Sequence, residues 1–330
     1  MNRIIGILVI ALSLAAGWLW TDFRQFGQAS LGIAVDQVYE FPRGASAARL
    51  AEDFPAPGAW KSSLYWRLFA RLDPRARRLQ AGEYLIPAGT TPDGLLDILG
   101  SGKVLQHPVT LIEGWNFREM MEVLARHDTL VHELRGADGT EVMARLGRPG
   151  THPEGRFLPD TYLFPRGASD VQVLARAMAA MDRELEKQWP QREEDLPLAS
   201  PEDALILASI VEKETGLASE RPRIAGVFIR RLRIGMKLQT DPTVIYGMGE
   251  RFDGNLRRVD LREDTPYNTY VHKGLPPTPI AMPGREALHA VLHPAEGDSL
   301  YFVSRGDGSH HFSATLAEHN RAVRKYQLKR

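Results

Sequence analysis

The run LILASIVEKETG at 205–216 places two glutamates, Glu212 and Glu214, at the end of an otherwise apolar segment. A carboxyl in such company can pair with a cation, escape into solvent at a helix end, or keep its proton with a raised pKa. The third outcome is what a general acid at neutral pH requires. On a helix turning about 100° per residue, Leu205, Ile206, Leu207, Ile210 and Val211 average to one direction, and Glu214 lies within roughly 20° of it. Glu212 points nearly the opposite way, beside Lys213 and Ser209, and is expected to meet water or a polar partner. The helix alone leaves the other two outcomes open for Glu214: emergence at the helix end, or pairing with Arg221 or Arg223.

The following segments supply what a carbohydrate site needs. LQTDPTVIYGMG (238–249) and PYNTYVHKGLPPTPIAMPG (266–284) put amides, hydroxyls and tyrosines into a stretch, 236–285, of weak periodicity. Such long irregular stretches are usually functional. Amide and hydroxyl side chains with flat aromatic faces suit sugars, although Thr, Asn and Pro are also ordinary turn residues. Gln239, Thr240, Asp241, Tyr246, Asn268 and Tyr270 are the candidates for holding saccharide.

Composition narrows the classes. The 330 residues carry 41 Lys+Arg against 41 Asp+Glu, and no cysteine. A balanced charge argues against a nucleic-acid partner, and the basic runs at 71–78 and 230–233 read as solvated helix faces or loops. Without cysteine there is no disulfide, thiolate nucleophile or sulfur-ligated zinc. His310 and His311 alternate across a strand and His319 lies on a polar helix face, so no metal site is expected.

The elements that must position these residues follow from periodicity and turn signals. Residues 4–20 are uncharged and follow Arg3, which favours a membrane anchor with a cytoplasmic start over a cleaved signal peptide. Residues 22–37 read as a juxtamembrane connector. YEFPRGASAARLAEDF (39–54), YLIPAGTTPDGLLDIL (84–99) and YLFPRGASDVQVLARAM (162–178) share an aromatic strand, a Pro-x-Gly turn and a helix, with Ser46, Thr91 and Asp170 as expected N-caps. VTLIEGWNFREMMEVLAR (109–126) is a looser copy with a capping box at Asn116 and Glu119. A helix over 219–234, capped by Ser219 and ended by Gly235, carries Ile224, Val227, Phe228 and Leu232 on one stripe. Residues 300–314 read as a hairpin turning at Gly306-Asp307-Gly308, followed by a last helix.

ASIVEKETG, FIRRLRIGMKLQTDPTVIYGMG, YNTYVHKGLPPTPIAMPG and HPAEGDSLYFVSRGDGSHHFSATLAEHN together resemble the endolytic murein transglycosylases, the MltG or YceG-like family. The resemblance also takes in the anchor and EGRFLPDTYLFPRG at 154–167, and is loosest in the N-terminal module. It implies an α+β protein: an anchor at 1–21, a LysM-like subdomain at 38–112 and a mixed α/β catalytic domain at 113–330. The second glutamate of the family's EKET motif is catalytic and falls on Glu214, the residue the helix face also selects. Also implied are a lytic activity on peptidoglycan glycan strands, no cofactor, an inner-membrane location with the catalytic domain in the periplasm, and peptidoglycan synthases as partners. Rival readings are a hydrolase with Asp241 or Asp160 as second carboxylate, and a scaffold that binds glycan without cutting it.

Overall fold

The computed structural model describes residues 2–54 and 59–328; Met1, 55–58 and 329–330 lie outside it. The chain divides into two compact units, 1–107 with 164–166, and 108–163 with 167–330.

In the first unit, helix α1 (Asn2–Gln28) contains a stretch long and apolar enough to cross a membrane, with mean hydropathy 2.2 over its most apolar window. It does not stop at residue 21 but continues to Gln28, into the first part of the expected connector. The physical reason is on its surface. Phe23 and Phe26, three residues apart and hence on one face, pack on Tyr65 at centroid distances of 5.6 and 5.2 Å. Strand β1 (Gln37–Phe41) leads to the short helix α2 (Leu50–Asp53) and to α3 (Ala59–Leu72). Strand β2 (Gly82–Ile86) then pairs antiparallel with β1, Tyr39 opposite Tyr84, and α4 (Pro92–Gly100) follows. Phe41, Leu50, Trp66, Tyr84, Ile86 and Leu95 are all nearly inaccessible and form this unit's core.

Next come β3 (Gln106–Leu111), α5 (Phe117–Leu124), α6 (Gly139–Arg145), β4 (Asp160–Pro165) and α7 (Asp170–Gln188), with β3 and β4 paired. All four strand–turn–helix segments expected from the sequence form. Their turn glycines Gly44, Gly89, Gly114 and Gly167 have φ of +76°, +75°, +79° and +81°, a region costly for any residue with a Cβ. The caps differ in part. Thr91 accepts the Gly94 N–H and Asn116 with Glu119 closes a capping box. Ser169 rather than Asp170 caps α7, because Asp170 accepts the N–H groups of Glu133 and Leu134. Ser46 caps no helix, since α2 starts only at Leu50.

The second unit is built on three helices: α8 (Pro201–Glu214), α9 (Arg221–Arg233) and α11 (Arg285–Leu292), with α10 (Asp241–Met248) between the last two in sequence. Ser200 accepts the Asp203 N–H at the start of α8, where Pro201 and the acids Glu202 and Asp203 suit a helix N-terminus. Every residue from Ala204 to Val211 is buried. The helix is therefore enclosed all round, and the polar side inferred for it from the sequence is not a solvent face: Ser209 is inaccessible, donating to the Ile206 carbonyl and accepting the Ile280 N–H. Helix α9 begins after a turn at Ala218–Glu220 and has no side-chain cap, so Ser219 does not fill that role. The antiparallel hairpin β5 (Tyr301–Ser304) and β6 (His310–Ser313) and the final helix α12 (Leu316–Tyr326) complete the unit.

Candidate active site

Glu214 closes α8, and the chain leaves the helix at once, with Thr215 extended. Its carboxyl receives a hydrogen bond from the hydroxyl of Thr240, which is 2 % exposed. Burial pushes the Glu214 carboxyl up to about 7. The Thr240 bond, His310 and Arg231 work against that rise, and the charge of Asp241 adds to it. Neither Arg221 nor Arg223 pairs with Glu214. Arg221 bonds Glu212 and Glu113, while the Arg223 guanidinium lies 4.0 Å from the centre of the Phe312 ring.

The position of Thr240 is unusual for its type. It stands at the N-cap of α10, where a threonine hydroxyl normally accepts a helix N–H, a contact worth about 1 kcal/mol. No side-chain cap bond forms here, because the hydroxyl is turned to Glu214. A network of threonines holds it there. The Thr240 N–H donates to Thr269 Oγ1 at 3.1 Å, Thr243 Oγ1 donates to the Thr240 carbonyl at 2.8 Å, and Thr243 and Thr269 share a bond of 2.9 Å. The residue before, Gln239, has φ +50° and is exposed. Non-glycine residues in this region carry strain and concentrate at functional sites.

The other candidates separate into three kinds. Asp241 accepts the Tyr270 hydroxyl at 2.6 Å, which keeps both residues beside Thr240. Tyr246 donates to Glu154 at 3.0 Å and packs edge-on against Tyr267 at 4.9 Å. Asn268 is inaccessible: its amide donates to the Asp260 and Glu263 carbonyls and its oxygen accepts the Tyr270 N–H. It braces the loop and has no amide hydrogen left for a sugar.

Glu212 does not face water. Its side chain is 5 % exposed, bonded by Arg221 at 3.2 Å and by the Gly284 N–H at 2.9 Å. Burial raises its pKa, with both bonds opposing. The basic run at 230–233 is likewise not all solvated. Arg231 is 6 % exposed, bonding the Leu300 carbonyl at 2.7 Å and the Leu238 carbonyl, and Arg230 bonds the Ser299 and Ala295 carbonyls. Arg231 thus ties α9 to the start of the loop that carries Thr240.

Sequence reasoning missed two groups. Glu220 accepts the backbone N–H of His310 at 3.0 Å, and its other carboxyl oxygen lies 2.7 Å from the His310 Nδ1. Glu154, 3 % exposed, lies in a segment without helical or strand periodicity, so no face calculation could have selected it. The one local signal was Gly155, at φ +78° and so close to Pro279 that an added Cβ would lie 2.6 Å from that ring. A groove of about 1190 Å³ opens in this unit, with Glu154, Lys213, Pro242, Tyr246 and Tyr267 among its lining residues. Glu214 itself does not line it, but its chain neighbour Lys213 does, as does Pro242, the residue after Asp241.

Among the described residues no cluster of three or more His, Asp or Glu side chains is arranged to hold a metal ion. His311 and His319 face the rings of Tyr326 and Tyr301 at 5.6 and 5.2 Å.

Residues 39–325 match the model of the YceG-like family. An endolytic murein transglycosylase of Bacillus subtilis is 31 % identical over 302 residues, which span 86 % of this chain and 83 % of that protein. One from Streptococcus pneumoniae serotype 2 is 25 % identical across 86 % of this chain and 57 % of its own length. A crystal structure of a yceG-like protein from Listeria monocytogenes superposes with a TM-score of 0.53 at 29 % identity, covering 88 % of this chain and 99 % of that one. With the family model spanning the chain from β1 to α12, this protein belongs to the YceG-like family.

Proposed function

We propose that this chain is a membrane-anchored lytic transglycosylase that cuts the β-1,4 bond between N-acetylmuramic acid and N-acetylglucosamine inside peptidoglycan strands. The observation that carries the reading is Glu214: a carboxyl held near pKa 7, with a neutral hydroxyl as its hydrogen-bond donor. At neutral pH about half of such groups are protonated, as a general acid must be. Glu214 donates its proton to the glycosidic oxygen as positive charge grows on the muramic carbon. The carboxylate left behind accepts the proton of that sugar's own 6-hydroxyl, whose oxygen closes a 1,6-anhydro ring. One carboxyl thus acts as acid and then as base, and no water is consumed. Thr240, Arg231 and His310 all favour the carboxylate and so assist the first half of the cycle, in which the proton leaves. The names of the relatives, endolytic murein transglycosylases, support the same substrate.

A hydrolase needs a second carboxylate. Of the two considered, Asp160 is ion-paired with Arg285 at 3.0 Å, and despite burial that contact keeps its pKa low; Asp241 is bonded by Tyr270. Both engagements favour the transglycosylase reading. Helix α1 supports single-pass anchoring, with the second unit in the periplasm beside newly made strands, where the enzyme would end their elongation and meet peptidoglycan synthases. Residues 38–112, which include the strand pair β1–β2, are in this reading the LysM-like module.

The test is product mass after digestion of sacculi by the full chain and by Glu214→Gln. Anhydro-ended fragments from the wild type and none from the variant are expected. Reducing ends, heavier by one water, would establish a hydrolase. Sedimentation with sacculi and no fragments from either protein would establish a scaffold.

A further inference from the structure

Glu154 is the most enclosed carboxyl lining the groove, and the proposed mechanism gives it no task. Oε1 accepts the Phe117 N–H at 3.0 Å; Oε2 accepts the Tyr246 hydroxyl at 3.0 Å and a longer bond from Phe117 at 3.2 Å. All these donors are neutral, whereas buried carboxylates are ordinarily matched by cations because their desolvation costs several kcal/mol. A bracing role alone would be met by glutamine at lower cost, so the charge calls for another reason.

The surroundings supply one. A carboxylate offers about four lone-pair directions, and the three hydrogens of Phe117, Tyr246 and Gly155 do not exhaust them. The Tyr246 hydroxyl donates to Glu154 and is itself in hydrogen-bond contact with Thr278, so the acceptor left at this spot is the carboxylate, whose complement is a ligand carrying O–H or amide N–H donors. The aromatic rings around it are held in place: Phe117 stacks with Phe157 at 6.1 Å and Tyr246 packs on Tyr267. Their faces suit the C–H face of a pyranose. Typical sites for drug-sized ligands run to about 1000 Å³, so 1190 Å³ accommodates more than one sugar ring.

We propose that this groove is a saccharide subsite in which Glu154, held by Tyr246, reads the acetamido N–H or a hydroxyl of an N-acetylated amino sugar next to the one being cut. The assignment rests on the transglycosylase reading for the identity of the strand. Glu154 is here a binding residue, not a proton carrier. Burial raises its pKa to about 7, with Glu119 adding to the rise and Phe117, Tyr246 and Gly155 opposing it. Its carboxylate is therefore the better acceptor above that pH. The titratable neighbours are Glu119 on α5, Tyr246 on α10 and His152, whose Nδ1 accepts the Glu154 N–H and whose pKa burial lowers.

The experiment uses the full chain in detergent carrying Glu214→Gln, so that ligand is not consumed. Calorimetry with tetra-N-acetylchitotetraose as probe is compared with its fully de-N-acetylated form. The N-acetylated probe is expected to bind, and Glu154→Gln to weaken it by about tenfold or more, the size of one hydrogen bond to a charged group. Tyr246→Phe is expected to weaken it severalfold. The parent's affinity should rise as pH passes through about 7, and that of Glu154→Gln should stay flat. Thr140→Trp, a substitution at an exposed lining position, should block the groove without touching Glu154, which keeps the test usable if Glu154→Gln misfolds. Unchanged affinity in Glu154→Gln, or in Thr140→Trp, would overturn the subsite. Equal binding of the two probes would overturn acetamido reading and leave hydroxyl reading. Residual cleavage by Glu214→Gln would count against the catalytic assignment alone, because the binding comparison does not depend on it.

Discussion

Glu83 in the first unit and Glu154 with Glu214 in the second are all enclosed, and the two sets behave oppositely. In the first unit Glu83, 8 % exposed, is bonded by His107 at 2.5 Å and by Arg166 at 2.5 Å. Burial alone would raise its pKa, but those two donors outweigh it and the group is held below the ordinary value. In the second unit Glu154 and Glu214 meet neutral donors, and burial raises both to about 7. Enclosure is common to all three. The partner decides the sign. Among these three, the carboxylate bonded by a guanidinium and a histidine is a strut, and the two bonded by neutral N–H and O–H groups exchange a proton near neutrality; Glu212, raised by burial although Arg221 bonds it, shows that a single guanidinium need not outweigh enclosure.

Glutamine at each position tests that contrast on activity first. Glu214→Gln removes the proposed acid, and its strand cleavage should fall by about a thousandfold or more, toward the upper range for general acid–base catalysis. Its melting temperature should not fall. Glu212→Gln, two residues away, loses charge against Arg221 but no proton carrier. It should lose stability, by about 1–3 kcal/mol, and retain cleavage within about tenfold when assayed well below its melting point. If the two variants lost activity equally, partner chemistry would not be what separates them.

The same contrast has a pH signature in stability. A carboxyl whose folded pKa is raised stabilises the fold fully below its unfolded value of about 4.5, and that contribution is lost as pH climbs to about 7. Glu154→Gln should therefore gain on the wild type across that window, by up to about 3 kcal/mol before solvent relaxation is allowed for. Glu83, depressed, does the reverse: its contribution is complete above the unfolded value and is lost as pH falls through the lower folded one. The wild type's advantage over Glu83→Gln should shrink on acidification. Melting curves between pH 3.5 and 8 read both, and same-sign trends would break the comparison.

Much of the scaffold was legible because local rules govern it. The four turn glycines, the Asn116–Glu119 box and the hairpin at 300–314 follow from residue types within a few positions. Glu214 was legible because it continues an apolar stripe. Where the sequence misled, the cause was tertiary. Helix α8 is enclosed along 204–211, so Ser209 beside Glu212 meets Ile280 rather than water, while Glu212 meets the polar partner that was one of its two expected outcomes, Arg221, together with Gly284, from regions 9 to 72 residues away. Arg231 looked solvated in a run of charge, but the Leu238 carbonyl just beyond its helix and the Leu300 carbonyl 69 residues away take up its guanidinium. Asn268 had the right chemistry for a sugar, but the loop around it takes up both its amide hydrogens. No periodicity could mark Glu154, which makes sense only once α5 and α10 bring Phe117 and Tyr246 to it.

Thr240 and Asp241, adjacent in the chain, bracket Glu214 with opposite influences and give the finer tests. Thr240→Val is nearly isosteric and removes the donor that lowers the Glu214 pKa. Loss of one aligned hydrogen bond should cut turnover by about tenfold, and the alkaline limb of the pH–rate profile should move upward, because the proton is held more tightly.

Asp241→Asn should do the opposite, and by less. The Asp241 charge favours the protonated form of Glu214, so removing it lets the carboxyl ionise sooner and moves the alkaline limb to lower pH. The shift is the smallest expected here because Asp241 is exposed and water screens its field. Turnover at the optimum should change by no more than about threefold, since the asparagine oxygen can still accept the Tyr270 hydroxyl and keep the start of α10 in place. Added salt should erase the difference between this variant and the wild type while leaving that of Thr240→Val intact, because a hydrogen bond inside the fold is not screened. A limb that moved the same way in both variants would mean that Glu214 answers to the shape of the loop rather than to the charges and donors facing it.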